Sequence, residues 1–284
     1  MPRKLDNADE IMKLYASGVS STELAKTYGL NRTTIPKMYK RINNISSMLP
    51  NQGNIRYFQT IDSEIKAYLL GFIAADGCVG DNNCFKINIV NDDRMVLEKL
   101  KQEIGAENKI SYVIKKKGRP QVSFGLINKL FCDDLRQYGI IPRKSLTMTN
   151  IIENIPKTYR PSFILGYLDG DGWCSNSQVH GKYKLKKVTY IKTHMICHVG
   201  FCGTKDFLVG LTDEINPNVF RIKESKSIHV LELGSSKSEI IRYYHYLYDN
   251  QPFFLQRKHD KFIEYFETIN YNPFNQVRTI SSSI

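Results

Sequence analysis

The 284-residue chain predicts an α+β fold: a small all-α head, then two similar units, each running α-β-β-α-β-β-α around an antiparallel sheet. Three observations lead there. An apolar, glycine-bearing segment is written twice, as "LLGFIAADGC" (69–78) and "ILGYLDGDGW" (164–173), about 95 residues apart. Each copy is followed by runs that alternate apolar and polar residues, the period of a half-buried strand, interleaved with helical periods. Residues 7–42 carry helix caps and stops at short intervals with no such alternation. The boundaries read as 1–42 for the head, 43–60 for a linker, and 61–158 and 159–284 for the units.

In the head, "NADEIMKLYASG" offers Asn7 as N-cap and Gly18 as stop, and Ser20 with Glu23 can form a capping box before a second helix ended by Gly29. A third helix, "LNRTTIPKMYKRI", is basic and polar through Arg32, Thr33, Thr34, Lys37, Lys40 and Arg41; with Thr33 as N-cap, Pro36 falls harmlessly in its first turn. This trio resembles a helix-turn-helix of the resolvase or regulator type, which implies that the third helix enters a major groove. Residues 43–60, rich in Asn, Ser, Gly and Pro without a clear period, read as a linker.

In the first unit the motif helix leads to the strand "CFKINIV", a helix "DDRMVLEKLKQEIG", the strands "KISYVIKK" and "QVSFGLI", and a helix "NKLFCDDLRQYG". In the second, Pro161 opens the motif helix; "YKLKKVTYIK" and "THMICHVGF" read as strands, followed by a helix "TKDFLVGLTDEI", strands "VFRIK" and "SIHVLELG", and helices "SKSEIIRYYHYLYDN" and "RKHDKFIEYFETI". The basic ribbon of the second unit carries Lys182, Lys184, Lys186, Lys187 and Lys192, and alternation would put cations on one face; Lys86 and Asn88 hold comparable positions on "CFKINIV".

A formal net charge of +12 favours a polyanionic partner, nucleic acid before anionic membrane. No apolar run approaches the ~18 residues of a membrane span. The opening "MPRKLDNADE" has no hydrophobic signal core, and six scattered cysteines read as reduced thiols, so the expected setting is cytoplasmic; the helical head suggests a bacterial or phage-infected cell. His194, Cys197, His198 and Cys202 contain zinc-type ligands, but a strand would point them to opposite faces.

The repeated helix carries the chemistry. Gly71 with Ala75, and Gly166 with Gly170, are four apart, on one helical face, where small residues admit a second backbone. If the copies pack through these faces, their C-termini meet and Asp76 and Asp171 arrive together. Two carboxylates among unpaired carbonyls repel one another, and a hard divalent ion, Mg²⁺ or Mn²⁺, resolves the repulsion. Gly77 and Gly172 are expected in the left-handed turn that ends many helices.

With both motifs in place, residues 61–270 resemble the single-chain, two-motif form of the LAGLIDADG homing endonuclease family. The resemblance implies two units related by a pseudo-twofold, motif helices at their interface, and saddle-shaped sheets over DNA. It implies metal binding by Asp76 and Asp171, with the residues before them, Ala75 and Gly170, and a basic residue near each metal, for which Lys144 ("GIIPRKS") and Lys258 ("FFLQRKH") stand in equivalent places. A polar residue near the metal-bound water is matched loosely by Asn91. Ala74 departs from the family pattern where the second copy keeps Asp169. The implied activity is metal-dependent hydrolysis of one phosphodiester per strand of a long, asymmetric double-stranded DNA site, leaving short 3′ overhangs, by a monomer. A non-catalytic transcription regulator and an RNA maturase remain the alternatives.

Overall fold

The computed structural model describes residues 7–42, 51–113, 118–185 and 188–274. By internal contact the chain forms two compact units, Met1–Gly53 with Val90–Phe124, and Asn54–Ile89 with Gly125–Ile284.

The head begins the first unit. Helices α1 (Ala8–Ala16), α2 (Ser21–Thr27) and α3 (Thr34–Ile42) enclose a core of Ile11, Met12, Leu24, Ala25 and Ile35. Ser20 caps α2 by accepting from the Glu23 amide at 3.1 Å, whereas Asn7 makes no side-chain cap bond. The turn before α3 is organised by Asn31, whose side chain accepts from both the amide and the hydroxyl of Thr33. Arg32, Thr33 and Lys37 are exposed and Thr34 is half-buried, while Ile35 is fully buried.

Helix α4 (Glu64–Asp76), capped by Ser63, enters the first sheet through β1 (Gly77–Val79) and β2 (Cys84–Val90). A one-turn 3₁₀ segment, Asn91–Asp93, precedes α5 (Arg94–Ile104), which ends on Gly105 in the left-handed region at φ 68°. Strands β3 (Ser111–Val113) and β4 (Gln121–Ile127) complete the sheet in the order β1-β2-β4-β3. Helix α6 (Lys129–Arg136), capped by Asn128, and the short α7 (Lys144–Thr147) follow.

The second repeat has the same grammar: α8 (Arg160–Asp171), β5 (Gly172–Leu185), β6 (Val188–Gly203), α9 (Lys205–Ile215), β7 (Phe220–Ser225), β8 (Ile228–Leu233), α10 (Lys237–Tyr248) and α11 (Gln256–Thr268). Its sheet has the order β5-β6-β8-β7, all antiparallel. Thr204 and Ser236 cap α9 and α10 through the amides of Phe207 and Glu239. The mixed α+β class and the paired four-stranded sheets are as the sequence predicts.

Two local expectations fail. The run 183–192 is not one strand: Tyr183 pairs with Tyr190 and Leu185 with Val188, so it is the tip of one long β5–β6 ribbon. Unbroken alternation carries no mark of the reversal; Lys186 and Lys187 lie outside the described residues. Nor are residues 51–60 a bare linker. Tyr57 and Phe58 are buried, Phe58 packs edge-on to Phe131 at 5.7 Å, and Arg56 pairs with Asp134 at 2.7 Å. Irregular backbone can bury aromatic rings without any periodic signal.

Candidate active site

Helices α4 and α8 lie against each other in the second compact unit, and nearly every residue from Ala67 to Ala75 and from Ser162 to Asp169 is buried. Apolar residues on all sides suit helices with neighbours on all sides. The close approach depends on glycine. A Cβ at Gly71 would stand 1.9 Å from the Phe163 carbonyl oxygen, and one at Gly166 would stand 2.0 Å from that of Tyr68. Phe163 and Tyr68 are equivalent positions of the repeat, so the two clashes are reciprocal. At the helix ends a Cβ on Gly170 would meet the Ala75 methyl at 2.3 Å and the Asp76 Oδ2 at 3.3 Å. All four predicted interface residues are therefore at the interface, and the C-termini converge.

Gly77 and Gly172 correct an expectation. They are extended, at φ −74° and −96°, because each helix runs straight into a strand instead of curling into a left-handed stop. Their need for glycine is steric: a Cβ would lie 2.6 Å from the Ile73 carbonyl oxygen or 2.6 Å from the Leu168 Cδ1.

Asp76 and Asp171 end the two helices with exposed side chains. Both act on Lys144, which is itself buried at 7% exposure and donates from Nζ to the carbonyl of Ala75. Burial pushes the Lys144 ammonium below its ordinary value, against the pull of Asp171, Asp76 and Cys78. Partial desolvation at the helix end raises the Asp171 carboxyl, and Lys144 and Lys258 oppose the rise. Lys258, at 5% exposure, donates to the carbonyls of Leu168, Asp169 (2.9 Å) and Gly172 (2.7 Å), closing the end of α8. Cations at a helix C-terminus meet both its orphan carbonyls and its negative dipole end.

Asn91 opens the 3₁₀ turn after β2 instead of standing on the strand, and its amide donates to the Pro120 carbonyl. Asp169, which sequence reasoning treated as a packing residue, is 1% exposed and accepts from the Tyr68 hydroxyl and the Leu255 amide, each at 2.8 Å. Burial raises its carboxyl to about 6, against Lys258, the Leu255 amide and Tyr68.

The donor set suits a hard divalent cation. Two exposed carboxylates and helix-end carbonyls are oxygen ligands, and among the described residues no group of three His, Cys, Asp or Glu side chains could hold a metal. Such a partial shell fits an ion that keeps waters and takes substrate phosphate oxygens, as Mg²⁺ does, and not a closed structural site. Of the predicted carbonyl-bearing ligands, Ala75 already accepts from Lys144.

The second sheet turns one face to solvent. Register places Trp173, Gly200, Glu232 and Arg221 in one row across its strands, with Ser175 and His198 beside it. The Trp173 ring lies on Gly200, where a Cβ would be 2.2 Å away, and an open groove of about 630 Å³ runs past Trp173, His198, Phe220 and Arg221. The His/Cys set on β6 is split between faces, as alternation requires: Cys197 is buried beside Cys174 at 3.7 Å, while His198 is exposed and bonds Ser177 at 2.8 Å. All six cysteines are free. Lys86, Asn88 and Lys182 are exposed on their strands. Lys184 and Lys192 lie on the ribbon, paired in register with Thr189 and Gly181, and Lys40 and Arg41 lie in α3; the side chains of these four are not described. Among the described residues no helix is long and apolar enough to cross a membrane.

Residues 63–146 match the family described as LAGLIDADG-like domain. The fold is similar to that of the LAGLIDADG meganuclease I-CpaMI, solved bound to uncleaved DNA: the TM-score is 0.51 at 12% identity, over 74% of this chain and 92% of that one. The I-LtrWI LAGLIDADG homing endonuclease, solved bound to target DNA, superposes at TM-score 0.48 and 14% identity, over 76% of this chain and 92% of that one. No curated protein sequence matches the chain.

Proposed function

We propose that this chain is a member of the LAGLIDADG family and a site-specific endonuclease that hydrolyses one phosphodiester in each strand of double-stranded DNA with the aid of Mg²⁺ or Mn²⁺. One observation carries the reading: two exposed carboxylates, Asp76 and Asp171, end a pair of helices held together by glycine, and one buried ammonium, Lys144, faces both. A binding protein has no use for paired carboxylates aimed at phosphates, since they weaken its hold on a polyanion.

Asp76 and Asp171 would hold the cation, with Ala75 and Gly170 beside them. When bound, the ion would supply Lewis-acid stabilisation of phosphate oxygens and a more acidic water. Lys144 stabilises the negative charge that grows on the phosphorus centre; a preorganised charge in a low-dielectric setting costs no reorganisation during the reaction. Because the two carboxylates share the base of one helix pair, the two cuts fall close together; that they leave short 3′ overhangs is what the resemblance to the LAGLIDADG family implies. The open face of the second sheet, with Arg221, His198 and Ser175, and the exposed Lys86 and Asn88 on β2, supply donors for phosphates and base edges. The basic α3 of the head adds contacts as a helix-turn-helix, so the site is long and asymmetric. The chain acts as a monomer, in the cytoplasm.

The test is incubation of the purified chain with a mixed duplex library and Mg²⁺, followed by sequencing of cut ends. Paired cuts a few bases apart at one recurrent sequence are expected, and Asp76→Asn or Asp171→Asn abolishes double-strand cleavage while binding persists. Full cutting by either variant refutes the assignment.

A further inference from the structure

The long β5–β6 ribbon has no match in the first repeat, where β1 turns back at Gly80. Strand β8 pairs with β6 over Gly200–Gly203. From Val199 outward the ribbon continues as two strands, to Leu185 and Val188, and carries Lys182, Lys184 and Lys192. Two strands alone are marginal in water, so such an arm depends on what holds its root. Helix α11 holds one side of it: the Asn176 side-chain amide donates to the Lys261 carbonyl at 2.9 Å and to Glu264 at 3.2 Å.

Two thiols occupy the same root. Cys174 stands opposite Val199 in register and Cys197 opposite Asn176, so the cysteines are diagonal neighbours on the face turned away from Trp173. Diagonal residues of a flat ladder stand far apart, but right-handed twist brings one diagonal together. Here the sulfurs touch, at 3.7 Å, and both are free thiols. A disulfide holds its sulfurs ~2 Å apart, and rotation of two short side chains with a small increase in twist closes the difference. Cys197 is 0% exposed and Cys174 is half-buried, so Cys174 is the one that meets a solute. Contact with Cys197, and then burial, push the Cys174 thiol up, which keeps the pair reduced through a brief exposure to oxidant.

We propose that Cys174 and Cys197 form an oxidation site: a peroxide joins them in a disulfide that clamps the root of the ribbon, and a thiol reductant reopens it. The Cys174 sulfur, as thiolate, attacks one peroxide oxygen. The O–O bond breaks, the leaving hydroxide takes up the proton that the thiol gave, and the sulfur becomes a sulfenic acid. Cys197 then attacks that sulfur. The S–O bond breaks, the hydroxyl leaves with the Cys197 proton as water, and the S–S bond forms. Two thiols lose two electrons and one peroxide becomes two waters. The new bond closes a loop over residues 175–196, the whole of the cationic arm, and restricts its open states more than its paired one. The proposal goes beyond the endonuclease reading and does not rest on it.

The experiment treats the full chain with hydrogen peroxide, unfolds it in an alkylating agent, and maps cross-links by mass spectrometry of unreduced peptides. A Cys174–Cys197 link that dithiothreitol removes is expected in most of the chain. In Cys197→Ala the Cys174 sulfur has no partner, and dimedone traps it as the sulfenic acid. Cys174 joined mainly to another cysteine, or both thiols still alkylated once the exposed Cys78 is fully oxidised, overturns the site. Hydrogen exchange reads the clamp: amides of residues 178–195 exchange about tenfold or more slowly in the oxidised chain than in the reduced one, and Cys174→Ala abolishes the difference. Equal exchange in the two forms, with the link complete, overturns the clamp. Neither readout uses DNA, so a chain that cuts no duplex fails the endonuclease reading while the cross-link and exchange measurements still decide this one.

Discussion

Replacing Gly166 by alanine isolates the feature on which the site depends. Alanine is the better helix former by about 1 kcal/mol, so on local grounds the change stabilises α8. The tertiary structure reverses the sign. The new methyl would stand 2.0 Å from the Tyr68 carbonyl oxygen and 2.8 Å from its carbon, where real methyl groups do not come within 3.0 Å, so the helices must part by about 1 Å. The obstacle is backbone on a neighbouring helix, and no side-chain rotation relieves it. Overpacking of this kind costs about 1–3 kcal/mol and more where the backbone must shift; the net loss is expected at about 3 kcal/mol, or about 6–12 °C in Tm. The same shift separates Asp76 from Asp171, and a 1 Å misplacement of reacting groups is worth about 100-fold in rate. Circular dichroism melts and a plasmid linearisation time course measure the two effects. A Gly166→Ala variant that melts with the parent and cuts at the parental rate refutes the account of why the helices touch.

Other consequences are open to simpler measurements. Asp169 titrates near 6 in the folded chain against a reference value of 3.8, so the folded form holds a proton that the unfolded chain has released across that window. This group's contribution to stability is present below about pH 4 and is lost as pH rises through 6, on the order of 3 kcal/mol; Asp169→Asn flattens that stretch of the stability profile in denaturant melts, and an unchanged slope contradicts the assignment. Gly200→Ala places a methyl 2.2 Å from the ring of Trp173 and 2.4 Å from the Leu231 carbonyl oxygen. Trp173 is the sole tryptophan, so its displacement is read directly as a shift in intrinsic fluorescence, accompanied by weaker duplex binding; an unshifted spectrum counts against the ring's position. Arg136 ties the β1–β2 hairpin through the Gly80 carbonyl and the Asn83 side chain, each at 2.9 Å, and Arg136→Ala is expected to cost about 1–3 kcal/mol by chemical denaturation.

What could be read in advance followed from repetition and spacing. Two copies of one glycine-bearing helix, each ending in Asp-Gly, required a shared close approach, and the acids had to come with it because they sit at the helix ends. Alternation located β2, β4 and β8, and Ser20, Thr204 and Ser236 stand as caps where the patterns begin. The failures have common causes. Gly77 and Gly172 are read as turn residues by type, yet their need for glycine comes from neighbouring atoms and their backbone is extended. Asn91 follows the alternation of β2 but lies one residue past its end.

The sequence by itself determined the fold class, the duplicated helix and the identity of the acids, because periodicity and composition are local properties of a chain. Only the tertiary structure decided what each buried charge faces. Lys144 and Lys258 occupy equivalent places in the repeat, and no spacing rule separates them; their surroundings do, through Tyr68, Asp169 and the Leu255 amide, groups up to about a hundred residues apart in sequence. Electrostatic partnership depends on distance in space and on exclusion of water, and neither quantity is written along the chain.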